Sequence, residues 1–353
     1  MPNIRLTEIR KTFPNGAVGL HATTLTIATG SYFVLLGPSG SGKSTLLRLI
    51  AGLETSTAGS IHFDERPVHN LAPHERGIAY VPQHSALYPD RDVCGNIRVG
   101  LEFEQARRPR KDRLPRKEID AQVAEAASIL NIAERLGRRP HELSGGEQRR
   151  VMLARALVRR APIWLLDEPL AQLDTPLAEK LSRDLHLLQR GFALTIVHVT
   201  HDPNEAMALA DRVGLLGNGR ILQSGTPEEV YSRPGNRTVG LHFGRPAINL
   251  IEGISQDDEF VAEDWLRVPC PHQGPVTLGI RPEDVGFVPR DGHRRIGEAE
   301  VVDNQRHDSR ILVTVRTQLR GFASESLAGC VGVWVNPERL HWFASTTGER
   351  LNR

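Results

Sequence analysis

A glycine-rich stretch that ends in lysine, serine and threonine has the residue types and spacing of a phosphate-binding loop. It reads Gly37-Pro38-Ser39-Gly40-Ser41-Gly42-Lys43-Ser44-Thr45 and fits the pattern G-x-x-x-x-G-K-[ST]. Glycines let backbone N–H groups curl around phosphate oxygens, because no Cβ stands in the way. The pattern assigns Lys43 to the β- and γ-phosphates of a nucleotide and Ser44 to a Mg²⁺ ion.

Two adjacent carboxylates form the second candidate site. Asp167 and Glu168 directly follow the run Ile163-Trp164-Leu165-Leu166, which is typical of a buried strand. In open α/β sheets, ligands bind beyond the carboxyl ends of the strands. The pair is therefore predicted to supply a metal ligand and a base at the functional edge of a sheet.

Three further positions have a structural interpretation beside a functional one. Phe13, next to a predicted turn, is either an adenine platform, with stacking worth about 1–3 kcal/mol, or a core aromatic. Ser144 and Glu147 have the spacing of a capping box, which by itself indicates only a well-capped helix. His201 follows a predicted strand and is either a site residue or a surface cap of the next helix. The residues alone leave these alternatives open.

The elements that must position these residues alternate between strand and helix. A strand at 32–36 precedes the phosphate loop and a helix at 45–51 follows it, as the motif requires. Prolines and like charges predict a solvated loop at 107–117, and because no aromatic residues are interleaved with its charges, a solvated loop is favoured over a nucleic-acid contact. Further strands are predicted at 4–9, 20–27, 59–63, 77–81, 193–199, 212–216 and 220–223, and further helices at 118–130, 148–158, 175–189 and 204–210.

The pattern changes near Pro234-Gly235-Asn236, where we predict a domain boundary. Helical periodicity ends there, and short alternating runs separated by Gly and Pro take over. We expect an α/β nucleotide-binding domain at 1–235 and a small all-β domain at 236–353, of the oligonucleotide/oligosaccharide-binding (OB) type. The expected strands of the second domain are 276–280, 285–288, 298–302, 311–315 and 331–335.

Composition describes an ordinary soluble protein. The chain has 353 residues, 39% hydrophobic and 24% charged, and its net charge of +2 gives no global basic field for nucleic acid. Cys94, Cys270 and Cys330 are scattered without metal-binding spacing, as expected of free thiols in a reducing compartment. Because no run reaches 18 apolar residues, we expect any role at a membrane to depend on a partner.

Taken in order, the motifs resemble the nucleotide-binding domain of ABC transporters. The run Leu143-Ser144-Gly145-Gly146 matches that family's own signature. The resemblance covers about residues 1–235 and implies a P-loop NTPase fold with a helical subdomain at about 84–160. The matching order is the phosphate loop, Gln83, the signature, Asp167-Glu168, Leu173-Asp174 and His201.

The resemblance also implies a role for each matching position. Glu168 would polarise the attacking water as general base, and His201 would contact the γ-phosphate and hold the geometry of Glu168. Gln83 would sense Mg²⁺ and the water and couple the site to a membrane partner, and Phe13 would stack on adenine. The implied catalytic residues are Glu168, His201, Gln83 and Lys43. The implied ATP contacts are Phe13, residues 37–45, Ser144, Gly145, Gly146 and Asp174. The implied Mg²⁺ ligands are Ser44, Gln83 and Asp167.

Other runs resemble one importer branch of that family. Gly279-Ile280-Arg281-Pro282-Glu283-Asp284, Pro337-Glu338-Arg339 and 72–77 are similar to motifs of maltose-transporter-type ATPases, and 244–250 is similar to the linker of the sugar and glycerol-phosphate subgroup. This implies an ATP hydrolase that energises uptake of a carbohydrate or glycerol-phosphate. Import of a polyamine, sulfate or ferric iron is the alternative, and a soluble ABC ATPase of DNA repair or translation fits less well. Glu147 departs from the family pattern, where Gln is commonest.

The same resemblance implies partners, because this chain has one copy of each motif. In the family, the phosphate loop of one domain meets the signature of a second domain across the nucleotide. We therefore expect a homodimer bound to two transmembrane permease subunits at the cytoplasmic face of the cell membrane. An external solute-binding protein would belong to the same system, and no nucleic acid is expected. The surface from Gln83 to Val93 is the expected docking site, and the β-rich domain is expected to be regulatory.

Overall fold

The computed structural model describes residues 2–84, 86–107 and 109–351, and the chain divides into two compact units. The division falls between Pro227 and Glu228, whereas the sequence pattern places the boundary at 235. Within the described ranges, no helix combines the length and the apolar character needed to cross a membrane.

The N-terminal unit contains a six-stranded sheet that is parallel except for one edge strand, and a smaller antiparallel sheet. Every residue is buried in the strands Tyr32–Leu36 (β3), Ile163–Asp167 (β7) and Thr195–Thr200 (β8), as expected of parallel strands covered on both faces. The six-stranded sheet has the order β10 (Arg220–Gly225), β9 (Arg212–Gly217), β3 (Tyr32–Leu36), β8 (Thr195–Thr200), β7 (Ile163–Asp167) and β6 (Ile78–Val81). The smaller sheet has the order β2 (Val18–Ile27), β1 (Ile4–Thr12), β4 (Ala58–Phe63) and β5 (Arg66–Pro67).

Six helices of this unit lie in the described residues, and three of them form the helical subdomain, which the sequence analysis expected at about 84–160. The subdomain helices are α2 (Val93–Arg107), α3 (Arg116–Ile129) and α4 (Gly145–Leu157). The others are α1 (Lys43–Ala51), α5 (Thr175–Gly191) and α6 (Pro203–Leu209).

The sequence analysis did not predict α2, and it was wrong about part of the segment 107–117. Gly95 and Gly100 lower the helix propensity of α2, yet a Cβ at Gly100 would lie only 2.6 Å from the carbonyl oxygen of Arg155, so this glycine lets α4 approach closely. Arg107 ends α2 and Arg116 begins α3, with a short 3-10 turn at Arg110–Asp112 between them. Arg108 lies outside the described residues. The exposed charged residues Arg116 and Lys117 at the start of α3 therefore resemble a loop in sequence.

The C-terminal unit has two five-stranded sheets in which every strand pair is antiparallel, which confirms the predicted α/β class followed by an OB-like all-β domain. Helical structure does not end at 235 as predicted, because a helix at Arg237–His242 follows. This helix has only six residues, too few to give a clear helical period in the sequence. The helices are α7 (Pro227–Ser232) and α8 (Arg237–His242). The first sheet has the order β13 (Leu266–Pro269), β12 (Glu259–Ala262), β11 (Asn249–Gln256), β14 (Gly274–Ile280) and β20 (His341–Ala344). The second has the order β15 (Val285–Gly286), β19 (Cys330–Val335), β16 (Arg294–His307), β17 (Arg310–Val315) and β18 (Arg320–Ala323).

A buried arginine fastens the two short helices of this unit to its strands. Arg281 follows β14 and is only 2% exposed. Its guanidinium donates to the carbonyl oxygens of Tyr231 at 3.0 Å, Gly240 at 3.0 Å and Phe243, and lies 4.0 Å from the centroid of the Tyr231 ring. The motif around Arg281 thus has a structural role in joining α7 and α8 to β14.

Candidate functional site

Four parallel strands bring the predicted residues to one edge of the central sheet. Gly37 follows β3, Gln83 follows β6 after Pro82, Glu168 follows β7 and His201 follows β8. The strands run parallel, so their carboxyl ends meet at the same edge. Residues that are far apart in sequence therefore form one site.

The phosphate loop ends at the start of α1 in a conformation that requires glycine. Gly42 is the N-cap residue with φ 104°, and as a glycine it has no side chain that could cap the helix. A Cβ at Gly37 would lie 2.2 Å from the carbonyl oxygen of Leu216. The first N–H groups of an α-helix have no intrahelical partner and carry the positive end of the helix dipole. The loop and the start of α1 together suit an anion such as a phosphate.

Lys43 holds its charge inside this loop. Its Nζ donates to the carbonyl oxygens of Gly37 at 2.7 Å and Pro38 at 2.9 Å, and the residue is 6% exposed. Burial lowers the pKa of the Lys43 ammonium, while Glu168 and Asp167 act to raise it. The carboxylates therefore help to keep a buried cation at the place where phosphate oxygens would bind.

Oxygen atoms suited to a divalent cation meet beside the loop. Ser44 Oγ donates to Asp167 Oδ1 at 3.1 Å, and the hydroxyl of Tyr80 donates to Asp167 Oδ2 at 3.1 Å. Burial, with the nearby Asp167, raises the pKa of Tyr80 to about 12, so Tyr80 remains a phenol donor. Hydroxyl and carboxylate oxygens are ligands that Mg²⁺ prefers. The sequence analysis missed Tyr80, although its position near the end of a predicted strand was a usable signal.

Glu168 lies between Gln83 and His201. Gln83 Nε2 donates to Glu168 Oε2 at 2.8 Å, and His201 Nδ1 lies 3.4 Å from Glu168 Oε1. The backbone of Glu168 has φ 47°, which is uncommon for a residue other than glycine, and its N–H donates to the Val199 carbonyl of β8 at 2.9 Å. The Glu168 side chain is 18% exposed, whereas that of His201 is 59% exposed. The structure thus brings three of the predicted catalytic residues into contact.

Phe13 lies beside α1, the helix that follows the phosphate loop. A Cβ at Gly19 would meet both the Phe13 ring at 2.7 Å and the methyl group of Thr45 at 3.3 Å. Lys11 Nζ lies 5.1 Å from the centroid of the half-buried Phe13 ring and also binds Glu54 at 2.9 Å. Phe13 is therefore an accessible aromatic ring next to the loop.

The signature residues lie at the start of α4. The Ser144 side chain accepts a hydrogen bond from the Glu147 N–H at 3.3 Å, and Glu147 Oε2 accepts one from the Ser144 N–H at 2.9 Å, so the predicted capping box is confirmed. Gly145 has open space around it, whereas a Cβ at Gly146 would lie 2.2 Å from Leu177 of α5. Among the described residues, no hydrogen bond links the phosphate loop to residues 144–146. The exposed Asp174 is the N-cap residue of α5 and makes no side-chain cap.

The predicted docking segment from Gln83 to Val93 includes Ser85, which lies outside the described residues. Tyr88 is 40% exposed, and its backbone is fixed by the buried Asn96, which accepts from the Tyr88 N–H at 2.7 Å and donates to its carbonyl at 3.0 Å. A groove beside Tyr88 is lined by residues of the sheet, α2 and α4, among them Leu53 and Val99. The segment thus presents an aromatic ring at the edge of an open groove.

Known proteins with similar sequences are import ATP-binding proteins. A sequence profile described as ABC transporter matches residues 20–171. Three relatives bear the name sn-glycerol-3-phosphate import ATP-binding protein UgpC. The one from Jannaschia sp. is 42% identical over 289 residues, which is 80% of each chain. Those from Roseobacter denitrificans and Rhizobium meliloti are 35% and 38% identical, and each alignment covers 99% of this chain and 100% of the relative.

Solved structures with a similar fold are ATP-binding cassettes. A dimeric post-hydrolysis state of the cassette MJ0796, bound to ADP and Pi, is 30% identical with a TM-score of 0.58, over 63% of this chain and 98% of that chain. Another dimeric structure of MJ0796, described as a bacterial ABC transporter cassette, is 32% identical with the same TM-score and coverage.

Proposed function

The chain belongs to the ATP-binding proteins of ABC transporters and is an ATP hydrolase, and we propose that it energises the import of a glycerol-phosphate or a carbohydrate. The support for this solute class is that relatives aligned over nearly the whole chain are named sn-glycerol-3-phosphate import proteins. Import of a polyamine, sulfate or ferric iron is the alternative, because relatives with those solutes share the core motifs.

The observation that carries the proposed mechanism is the position of Glu168 between Gln83 and His201 at the edge that also holds Lys43. Glu168 would accept a proton from the attacking water, and His201 would hold the Glu168 carboxylate and contact the γ-phosphate. Lys43 would exchange its carbonyl partners for phosphate oxygens. Phosphoryl transfer depends mainly on positioning and charge stabilisation, and these groups supply both. Phe13 would stack on the adenine.

The oxygen ligands present fit Mg²⁺. Ser44 and Asp167 lie in contact, and Gln83 would add an amide oxygen. In the described part of the chain, no group of three or more His, Cys, Asp and Glu side chains forms a metal cage. Binding of Mg²⁺ would thus depend on the nucleotide, since Mg²⁺ is usually bound by one or two carboxylates plus substrate phosphates. The bound ion would neutralise charge on the phosphates.

A second copy of this chain would complete each site. Ser144 and Gly145 begin α4 with open space at Gly145, and they make no hydrogen bond to the described part of their own phosphate loop. The N-terminus of α4 would bind the γ-phosphate held by the other copy, and Gly146 and Asp174 would lie close to that phosphate. The dimeric cassette structures support a dimer of this chain.

Permease subunits would dock on the segment from Gln83 to Val93, beside the groove next to Tyr88. This interaction would hold the chain at the cytoplasmic face of the cell membrane, and an external solute-binding protein would deliver the solute. The β-rich domain, with a boundary near 235, would regulate the ATPase.

Uptake of labelled solute tests the solute class. In cells whose only copy of this chain carries Glu168→Gln, uptake of sn-glycerol 3-phosphate should fall to background, while uptake of sulfate and of a polyamine should be unchanged. Unchanged uptake of sn-glycerol 3-phosphate and of carbohydrates, with loss of sulfate or polyamine uptake, would show that the alternative is correct.

A further inference from the structure

Arg149 of α4 contacts the backbone of both Gln83 and Glu168. One guanidinium nitrogen donates to the carbonyl oxygen of Pro82 at 2.7 Å, and another donates to those of Gln83 at 2.8 Å and Glu168 at 3.2 Å. The residue is 7% exposed. A single buried cation therefore joins the segment after β6, the segment after β7 and the helix that Ser144 caps.

A buried guanidinium is costly unless its donors are satisfied. Within the described residues, the hydrogen bonds of Arg149 go to carbonyl oxygens and none to a carboxylate side chain. Burial lowers the pKa of Arg149, and Asp167 and Glu168 act to raise it, so the carboxylates of the site balance its charge through space. The planar fork of arginine presents its donors in a fixed geometry, whereas the ammonium of lysine is a compact charge with three rotatable donors.

The same helix holds the rest of the Gln83 segment. Arg155 donates to the carbonyl oxygen of Ala86 at 2.8 Å, and the Ala86 N–H donates to Met152 Sδ at 3.5 Å. A displacement of α4 would thus carry this segment with it. Because Arg149 also reaches Glu168, the same displacement would act on the carboxylate that Gln83 contacts.

We propose that Arg149 is a positioning residue that fixes Gln83 and Glu168 in one geometry and transmits the position of α4 to both. Its guanidinium holds the two backbone carbonyls while the two side chains meet at 2.8 Å. The inference rests on the proposed role of Glu168 as general base. It adds a direct route within one chain from the signature helix to the hydrolytic geometry.

The adjacent Arg150 is a matched control. It is 5% exposed on the same helix, and it donates to the carbonyl oxygen of Leu130 at 3.1 Å and to Asp184 Oδ2 at 2.7 Å. These contacts anchor α4 to α3 and α5 and do not reach Gln83 or Glu168. Loss of Arg150 leaves the contacts of Arg149 with Gln83 and Glu168 in place, so it should reduce stability without the specific effect on hydrolysis.

The test compares full-length Arg149→Met, Arg149→Lys, Arg150→Met and Glu168→Gln chains. For each, kcat is measured below the lowest Tm of the set, together with the Kd for ATP. Arg149→Met should lower kcat about 10–100-fold, as expected when a catalytic group is misplaced by about 1 Å, with Kd changed less than about twofold. The kcat of Arg149→Lys should lie between that of Arg149→Met and that of the unmodified chain. Arg150→Met should lower Tm at least as much as Arg149→Met but keep kcat within about twofold.

Equal loss of kcat in Arg149→Met and Arg150→Met would overturn the inference, because Arg149 would then act only through stability. If Arg149→Met does not fold, Arg149→Lys carries the test, and a normal kcat in that folded chain overturns the inference. Normal turnover in Glu168→Gln would instead refute the proposed base. Slow turnover in Glu168→Gln together with normal turnover in Arg149→Met would refute the role of Arg149 and leave the proposed base in place.

Discussion

Arg135 Nε lies 2.7 Å from Glu147 Oε1, so a cation pairs with the one acidic side chain in the first turn of α4. The hydrogen bond from Arg135, followed by that from the Ser144 backbone, lowers the pKa of Glu147. A carboxylate at a helix N-terminus is favourable for the helix dipole, but it would repel a phosphate bound at the same place. Arg135 thus offsets the charge that Glu147 brings to the start of α4.

The first prediction follows from this pair. Arg135→Ala should weaken ATP-driven association of Glu168→Gln chains, because the charge of Glu147 is then uncompensated next to the proposed phosphate contact. Adding Glu147→Gln should restore it. The pair is about one-third exposed, so the expected shift in half-saturating ATP is about 2–5-fold. Arg5→Ala, which breaks an exposed pair with Glu65, is the control. A double variant as weak as Arg135→Ala alone would contradict the explanation.

The second prediction concerns Glu168. Glu168→Gln keeps the shape of the side chain but cannot accept a proton, so ATP should still bind while hydrolysis falls about 10²–10⁴-fold. Phosphate release measures turnover, and equilibrium binding of ATP is the control for folding. Turnover within a few-fold of the unmodified chain would refute the assignment of the base.

The third prediction is that the site is shared between two chains. Ser144→Arg puts a bulky cation at the start of α4, and Lys43→Ala removes the cation proposed to bind phosphate, so each homodimer should be nearly inactive. A mixed dimer has one site with both changes and one with neither, and it should regain hydrolysis in the intact site.

The control for the shared site is association itself, because the two sites could require each other for turnover. ATP and Mg²⁺ should drive Glu168→Gln chains into dimers, and Ser144→Arg should abolish this. Chains of Glu168→Gln that stay monomeric at saturating ATP, with and without the permease subunits, would refute the shared site.

The fourth prediction is that the segment around Tyr88 binds the permease. Leu87 is half-buried and Tyr88 is exposed beside the groove, so Leu87→Ser with Tyr88→Ser should reduce co-purification of the chain with its permease subunits. Leu187→Ser, at an apolar side chain of α5 that is 69% exposed, is the matched control and should have no effect. If both variants co-purify with the permease subunits equally well, the docking surface lies elsewhere.

The fifth prediction is that Arg281 stabilises the C-terminal unit. Arg281→Met would leave the carbonyl groups of Tyr231, Gly240 and Phe243 without this partner, which should cost about 2–3 kcal/mol in the free energy of unfolding. Chemical denaturation measures the loss. Arg267→Met, at a side chain that is 59% exposed and paired with Glu259, should change stability by less than about 1 kcal/mol.

Patterns that depend on neighbours along the chain could be predicted from the sequence. The phosphate loop and the capping box of Ser144 and Glu147 are fixed by local spacing, and the structure confirms the capping box and the strand and helix around the loop. The resemblance to ABC transporters also implied that His201 lies close to Glu168, and parallel strands that end at one sheet edge are the physical reason.

Only the tertiary structure shows the contacts that set the geometry of the site. Arg149 binds the carbonyls of Pro82, Gln83 and Glu168, and Tyr80 binds Asp167 across 87 residues of sequence. Gly100 lowers the helix propensity of α2, and only its close contact with the backbone of α4 explains why a glycine stands there. Local spacing determines which residues reach the edge of the sheet. The packing of α4 against that edge, between segments distant in sequence, determines how Gln83 and Glu168 are held there.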